Sequence, residues 1–327
     1  MQRLILGNID YERHMTDEGD QLQRGLQNAG WILAGAGYGD GCRDVPTLLK
    51  RHRPDVVLVH DKRDWDPDHR CSFRDDVGYT NLGELASRDD IVRLVVVKDA
   101  GSAHDYHIRF IEEVGADAVV TYYHDTSVDH CFPYLRTVHK IRTYHTIDSD
   151  VVRKIDLGKQ RDRGLVTGAM SERVYPFRHW ARRCSGKLGI LNVRHPGFSN
   201  HGCATGEYLE LLSRHKVHVA TASIYGFALR KLIESAAVCC IPVTTLPAYD
   251  VLPEIDDILI RAPYTSTIRE LRGIIDSAEK RWSLERLQDY ANRAIRFYDY
   301  RAMGQRLSDD ISEFATRKKE GACKSTP

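Results

Sequence analysis

The stretch Ala222–Pro247 (ASIYGFALRKLIESAAVCCIPVTTLP) gathers the residues best suited to hold an anion. Tyr225 and Gly226 come just before a helical pattern in which Leu229, Leu232, Ile233 and Ala236 fall at i, i+3, i+4 and i+7, one apolar stripe. Arg230, Lys231 and Glu234 flank that stripe near the helix start. A glycine ahead of a helix N-terminus lets another group approach the backbone, and the unpaired amides there are a seat for phosphate. A carboxylate one turn further in is placed to take the two hydroxyls of a ribose. Arg230 and Glu234 read equally as an i,i+4 surface ion pair worth about 0.2–0.5 kcal/mol, and the spacing alone does not choose.

The elements that must position these residues follow a repeating plan. Apolar runs at 3–7, 31–35, 55–60, 91–97 and 116–122 read as strands, separated by helical patterns near 18–29, 44–52, 80–88 and 103–114. Strand and helix alternate with short connections, which argues for a doubly wound parallel sheet. Ligands bind beyond the carboxyl ends of such strands, so His60, Asp61, Lys98, Asp99, His124 and Asp125 are candidates. The alternation restarts with Gly164–Gly168, a small-residue turn, then Tyr175-Pro176-Phe177-Arg178. Strands are expected at 187–193, ending at Arg194-His195, and at 218–220, with a helix at 208–214 between them. Ala237–Val243, with Cys239 and Cys240 inside it, reads as a buried strand. An edge strand within 252–263, a helix over 266–277 and a largely helical 284–315 complete the chain, and RKKEGACKSTP reads as a tail.

This pattern resembles the GT-B glycosyltransferases, in particular glycosyltransferase family 4 and the spore-maturation (CgeB-like) proteins. Leu229 to Cys239 is similar to their nucleotide-sugar helix. Gly168 with Tyr175-Pro176-Phe177-Arg178 is similar to a second passage in CgeB-like proteins, and Tyr144–Asp148 to the crossing between domains. Two positions depart from the pattern. Valine or cysteine stands where the family has a glycine after the helix, and Gly226 stands where family 4 commonly has a first glutamate. The ribose-binding role carries over to Glu234; the sugar contact of that first glutamate does not carry over.

The resemblance implies two Rossmann-like domains facing a cleft: an acceptor domain at 1–148, a linker at 149–161, a donor domain with C-terminal helices at 162–315, and a disordered tail at 316–327. It implies a donor site of Gly168, Tyr175, Arg178, Arg194, Tyr225, Gly226, Leu229, Arg230, Lys231 and Glu234. A leaving nucleoside diphosphate builds negative charge, which Arg178, Arg194, Arg230 and Lys231 can neutralise without a bound metal. Inversion at the anomeric carbon needs a base from the first domain, with Asp99, His104, His124 and Asp125 as candidates. Retention, which the family 4 likeness favours, needs none. Asp99, His124 and Arg230 are thus the expected catalytic groups, with a hexosyl donor and a hydroxyl acceptor (small molecule, glycan, protein or modified DNA).

Composition narrows the alternatives. The 327 residues are 42% hydrophobic and 28% charged with a net charge of +1, enough for two globular domains and without a general pull towards nucleic acid. No apolar run approaches the ~20 residues of a membrane span, and the N-terminus is not a signal peptide. Eight cysteines without regular spacing suggest reduced thiols in a cytoplasm. The glycine run at 35–41 follows the second strand and lacks the dinucleotide spacing. Asp66, Asp68, His69 and Cys71, and likewise Asp129-His130-Cys131, lack closed zinc spacing and read as solvated loops. There is no nucleophile elbow and no P-loop. Three other readings stay open: a UDP-sugar epimerase of the same fold; a phage-type DNA glucosyltransferase using Arg51, Arg53, Lys62, Arg63, Arg70 and Arg74; and a two-domain binding protein without chemistry.

Overall fold

The computed structural model describes residues 1–7, 18–34, 41–60, 79–98, 100–169, 171–195 and 204–324. Contacts divide the chain into two compact units, Met1–Asp10 with Leu22–Tyr144 and Met303–Pro327, and Tyr11–Gln21 with His145–Ala302.

The first unit is built on β1 (Arg3–Gly7), α1 (Glu18–Asn28), β2 (Ile32–Ala34), α2 (Val45–His52), β3 (Val56–His60), β4 (Val92–Val97), α3 (His104–Val114), β5 (Ala118–Thr121), α4 (Asp125–Cys131) and β6 (Lys140–Arg142). All six strands are parallel, in the order β2-β1-β3-β4-β5-β6. Every residue of β3 and β4 is buried, the mark of a sheet covered on both faces. Asp44 caps α2 by accepting from the Thr47 amide at 3.0 Å.

The second unit contains α5 (Ser149–Val152), β7 (Asp162–Thr167), α6 (Pro176–Arg183), α7 (Ser185–Leu188), β8 (Leu191–Val193), α8 (Ala204–Ser213), β9 (His215–Val219), α9 (Arg230–Ala237), β10 (Ile241–Thr244), β11 (Ile260–Arg261), α10 (Ile268–Arg281) and α11 (Leu284–Tyr298). Its five strands are again parallel, in the order β11-β10-β9-β7-β8. The direction of winding reverses between β7 and β9, so a ligand crevice is expected at the carboxyl ends of those two strands. Both halves are therefore Rossmann-like, as the alternating pattern predicts.

Three expectations need correction. The run Ala237–Val243 is not one strand: Ala237 ends α9, and β10 begins only at Ile241. Cys239 between them is in the left-handed region with φ 59°. The Cys239 amide bonds to Ala236 O at 3.1 Å and the Cys240 amide to Ser235 O at 2.9 Å, a Schellman ending with cysteine in the glycine position. Lys187–Val193 is likewise split, because Lys187 and Leu188 close α7 and only Leu191–Val193 pairs in the sheet.

The charged end is not all tail. The last helix, α12 (Tyr300–Lys324), runs through residues 316–324. It is fastened to the first unit by Lys319 to Asp55 at 2.8 Å, by Lys318 to Asp117, and by Ser308, whose hydroxyl accepts from Arg3 Nη1 at 2.6 Å and Trp31 Nε1 at 3.0 Å. A Cβ on Gly304 would lie 2.1 Å from the backbone of Gly25, so α12 and α1 touch backbone to backbone. Among the described residues no helix is long and apolar enough to cross a membrane.

Candidate functional site

Helix α9 starts at the carboxyl edge of the second sheet. Gly226, at φ 72°, turns the preceding loop back, with its amide donating to Ser223 O at 3.0 Å. Leu229 then serves as N-cap in extended geometry, and no side chain caps the helix. The Leu232 amide bonds back to Leu229 O at 3.0 Å, and the amides ahead of it point out of the helix. Leu232, Ile233 and Ala236 bury the apolar stripe. At the far end Arg161 Nη1 donates to Val238 O at 2.9 Å and Cys239 O at 3.1 Å. A cation on the last carbonyls of a helix opposes its dipole and holds that end in place.

The charges on α9 are inside the protein. Arg230 Nε lies 3.2 Å from Glu234 Oε1, and the two side chains are 6% and 5% exposed. That excludes the solvated surface pair. Arg178, on α6, is 1% exposed. Its Nη1 donates to Ala169 O, just past β7, at 3.1 Å, and its Nη2 to Thr221 O, just past β9, at 2.8 Å. Tyr175 stacks on this guanidinium, 4.0 Å from ring centroid to Cζ. Arg178 thereby ties together the two loops at the switch point; among the described residues its Nε has no partner and no carboxylate bonds to it.

Lys231 completes the cationic cluster. Its ammonium lies 5.2 Å over the Tyr208 ring and has no hydrogen-bond or ion-pair partner among the described residues, while part of the residue stays accessible. Burial, then the Arg178 charge, bring its pKa down to about 8 against the pull of Glu234. Burial, then the Lys231 charge, also push His195 down to about 2 and His218 well below the usual histidine range, so both rings are neutral. Ser235 Oγ donates to Lys231 O at 2.6 Å, so His218 Nδ1 must carry the proton it gives to Ser235 Oγ at 2.7 Å.

Gly168 supplies the space. At φ 115° it suits glycine, and an added Cβ would lie 2.7 Å from Lys231 Cε and 2.9 Å from Arg178 Nη1. The Thr167 and Thr221 hydroxyls at the same strand ends are buried without partners. Two buried cations, Arg178 and Arg230, and the half-buried Lys231 thus face one carboxylate, with neutral histidines around them. Such an arrangement is costly when empty and favours a ligand carrying about two negative charges.

The structure brings Gly168, Tyr175, Arg178, Arg230, Lys231 and Glu234 together, with Leu229 and Gly226 at the helix entry. Tyr225 is half-exposed, its ring 5.5 Å from that of Phe227. Arg194 is exposed beyond β8, the outermost strand. His124 belongs to the first unit, where its Nδ1 accepts from the Thr126 amide at 3.2 Å as N-cap of α4. His104 Nε2 bonds to Ala100 O at 2.9 Å. Asp99, Asp61, Asp66, Asp68, His69, Cys71, Lys62, Arg63, Arg70 and Arg74 lie outside the described residues. The cluster also holds residues not picked from the sequence: Tyr208, His195, His218, Thr221 and Ser235. One signal for His218 is present, a histidine inside the apolar alternation of HKVHV.

No known protein family's sequence pattern matches the chain, and no curated protein matches it. Solved structures do. An α-glucosyltransferase in complex with UDP and a 13-mer DNA containing an HMU base is similar over 95% of this chain and 98% of its own, at 12% identity and a TM-score of 0.53. Sucrose-phosphate synthase from Thermosynechococcus elongatus is similar over 97% of this chain and 100% of its own, at 11% identity and a TM-score of 0.56. HepE from Anabaena, in complex with UDP, is similar over 96% and 100%, at 10% identity and a TM-score of 0.52. The chain has the GT-B fold that these glycosyltransferases share.

Proposed function

We propose that the protein is a glycosyltransferase that binds a nucleoside diphosphate sugar at the head of α9 and moves the sugar to an acceptor hydroxyl. The observation that carries this reading is a pair of cations that meet no carboxylate among the described residues: half-buried Lys231, with no hydrogen-bond or ion-pair partner there, and buried Arg178, hydrogen-bonded only to carbonyls, side by side against Gly168. A diphosphate supplies the missing charge, and the uncapped first turn of α9 supplies amides to meet it. In this reading Glu234 accepts from the ribose hydroxyls, and Arg230 and Lys231 neutralise charge that grows as the diphosphate leaves. Arg178 acts from behind them.

The neighbours crystallised with UDP support a uridine nucleotide as the first to try. The finer kinship with family 4 and CgeB-like proteins rests on Leu229–Cys239 and on Tyr175–Arg178. Asp99 and His124 are the bases to test on the acceptor side, and eight cysteines without regular spacing favour a cytoplasmic setting.

A thermal-shift screen with UDP, GDP, ADP, CDP, dTDP and their sugar conjugates tests the donor site. A ligand that binds only the folded state raises the melting temperature. One nucleotide stabilising the protein, with the shift abolished in Glu234→Ala, is the expected result. No shift with any of them overturns the reading. Turnover with acceptors, hydroxymethylated DNA among them because one structural neighbour holds DNA with an HMU base, separates a transferase from a binding protein.

A further inference from the structure

Lys231 is walled in by groups from every element around it. Arg178 faces it from α6, Tyr208 from α8, His218 from β9 and His195 from the segment after β8, with Arg230 and Glu234 on its own helix. Gly168 marks how close two of these are, since a single added Cβ there would lie within 3 Å of both Lys231 Cε and Arg178 Nη1. Glu234, the acid in this wall, is engaged by Arg230. An amine that loses water, gains no acceptor and sits beside a fixed guanidinium holds its proton weakly. The guanidinium cannot yield instead, because arginine does not deprotonate. Its own place is set by two backbone carbonyls, Ala169 O and Thr221 O, which hold it beside Lys231.

We propose that a nucleoside diphosphate sugar enters this site together with a proton, which the Lys231 amine takes from solvent, and that Arg178, acting on an amine already short of water, is a positioning residue that enlarges the uptake. This rests on the donor-site reading above. In the empty site part of the population carries –NH2 at Lys231; the arriving diphosphate restores –NH3+ by presenting the anion the cluster lacks. Burial and Arg178 bring the free amine to about 8, so the coupling operates on the alkaline side of neutrality. The bound form then titrates higher, so affinity is full below that value and is lost as pH rises through it.

Calorimetric titration with UDP-glucose in two buffers of different ionisation enthalpy reads the proton directly. At about pH 8 we expect about half a proton taken up per ligand bound, with affinity falling towards tenfold per pH unit above it. Lys231→Arg keeps a permanent charge, so uptake and slope should both vanish. Arg178→Met removes the nearby charge, so the alkaline limb should move to higher pH and the uptake at about pH 8 should shrink.

The Lys231 13Cε shift in the wild-type protein, assigned by its absence from Lys231→Arg, follows the same amine without any variant at Arg178. A midpoint near 8 that rises when UDP-glucose is added supports the coupling. An ordinary lysine midpoint in the free protein overturns it, and so does UDP-glucose binding with no proton uptake and a flat profile; in both cases the donor site survives. No binding of UDP-glucose or any other nucleoside diphosphate sugar, at any pH, sinks the donor site and the coupling together.

Discussion

At the carboxyl ends of the two sheets, polar groups meet different fates. In the first unit His60 Nδ1 bonds with Gln23 Nε2 at 2.7 Å, and the Thr121 hydroxyl accepts from the Tyr123 amide at 3.4 Å. Its buried cation Arg93, at the amino end of β4, has the Asp117 carboxylate at 2.9 Å and the Leu85 and Ala86 carbonyls. In the second unit, among the described residues, the Thr167 and Thr221 hydroxyls have no partner, Lys231 has no anion, and two histidines are held neutral. Both sheets are parallel and wound in the same way, so the topology does not impose this contrast. The first unit leaves the buried Thr143 hydroxyl past β6 without a partner, but among the described residues the second unit adds, at its switch point, cations without a carboxylate partner, which is what favours the proposed ligand site there.

Two glycines give the strongest way to break that contrast. Gly304→Ala drives a Cβ into the backbone of Gly25, 2.1 Å away, where no side chain can yield. We expect it to cost about 3 kcal/mol or more in urea unfolding, through loss of the α1–α12 contact. Gly168→Ala meets side-chain ends, Lys231 and Arg178, at φ 115°. We expect about 1–3 kcal/mol of strain there and a larger fractional loss of nucleotide affinity than of stability. If both variants lose stability alone, the second unit's cluster is packing and not a site.

The next effect concerns the pair on α9. Glu234→Ala leaves Arg230 buried without its carboxylate and removes the proposed ribose acceptor. Nucleotide binding should weaken by about 1–3 kcal/mol in a titration. Arg230→Ala should lower turnover more than binding, because the diphosphate charge grows towards the transition state. Equal losses in the two measurements would make Arg230 a plain anchor.

Acid should also find the second unit first. His195 and His218 have folded pKa values below the unfolded value, so the unfolded chain takes up their protons as pH falls. Their contribution is intact above about pH 6.5 and is lost below it, by up to about 1.4 kcal/mol per pH unit for each ring. For His195 the window extends down to about 2. In the first unit the partly exposed His139 shares this direction, lowered by burial and then by Arg317 and Lys140, and Asp117, held down by Arg93 and Lys318 despite its burial, weakens only below the ordinary carboxylate range. Urea midpoints at about pH 7 and about pH 5.5 should therefore differ, and His195→Gln should remove its share of the slope. An unchanged slope would place that histidine in contact with water.

Much of this was legible before the structure. Parallel strands buried on both faces read as unbroken apolar runs, which is why β1, β3 and β4 are found almost to the residue. Arg230, Lys231 and Glu234 share a helix with one apolar stripe, so local spacing was enough to place them. Tyr208, His195 and His218 come from other elements and meet α9 only through the sheet order, which no local pattern carries. The charged end reads as tail because the partners of Lys318 and Lys319 are far away in sequence: Asp55 lies 264 residues before Lys319, and Asp117 is likewise remote from Lys318. The whole interval Ala237–Val243 is apolar, and an apolar run alone does not tell the end of a buried helix from the start of a buried strand.

That last ambiguity yields a test of small size and clear sign. Within a strand or a helix, alanine is preferred to glycine by about 0.5–1 kcal/mol. At Cys239 the backbone is left-handed, with φ 59°, and both Schellman bonds depend on it. Cys239→Ala keeps the strained conformation and loses the buried thiol; Cys239→Gly loses the thiol but relieves the strain. Glycine should therefore be the more stable variant by about 1 kcal/mol. Thermal or urea unfolding of the two variants side by side cancels the thiol, since both lack it. Alanine ahead of glycine would mean that the interval extends as a strand, that α9 ends elsewhere, and that Arg161 does not hold its last carbonyls.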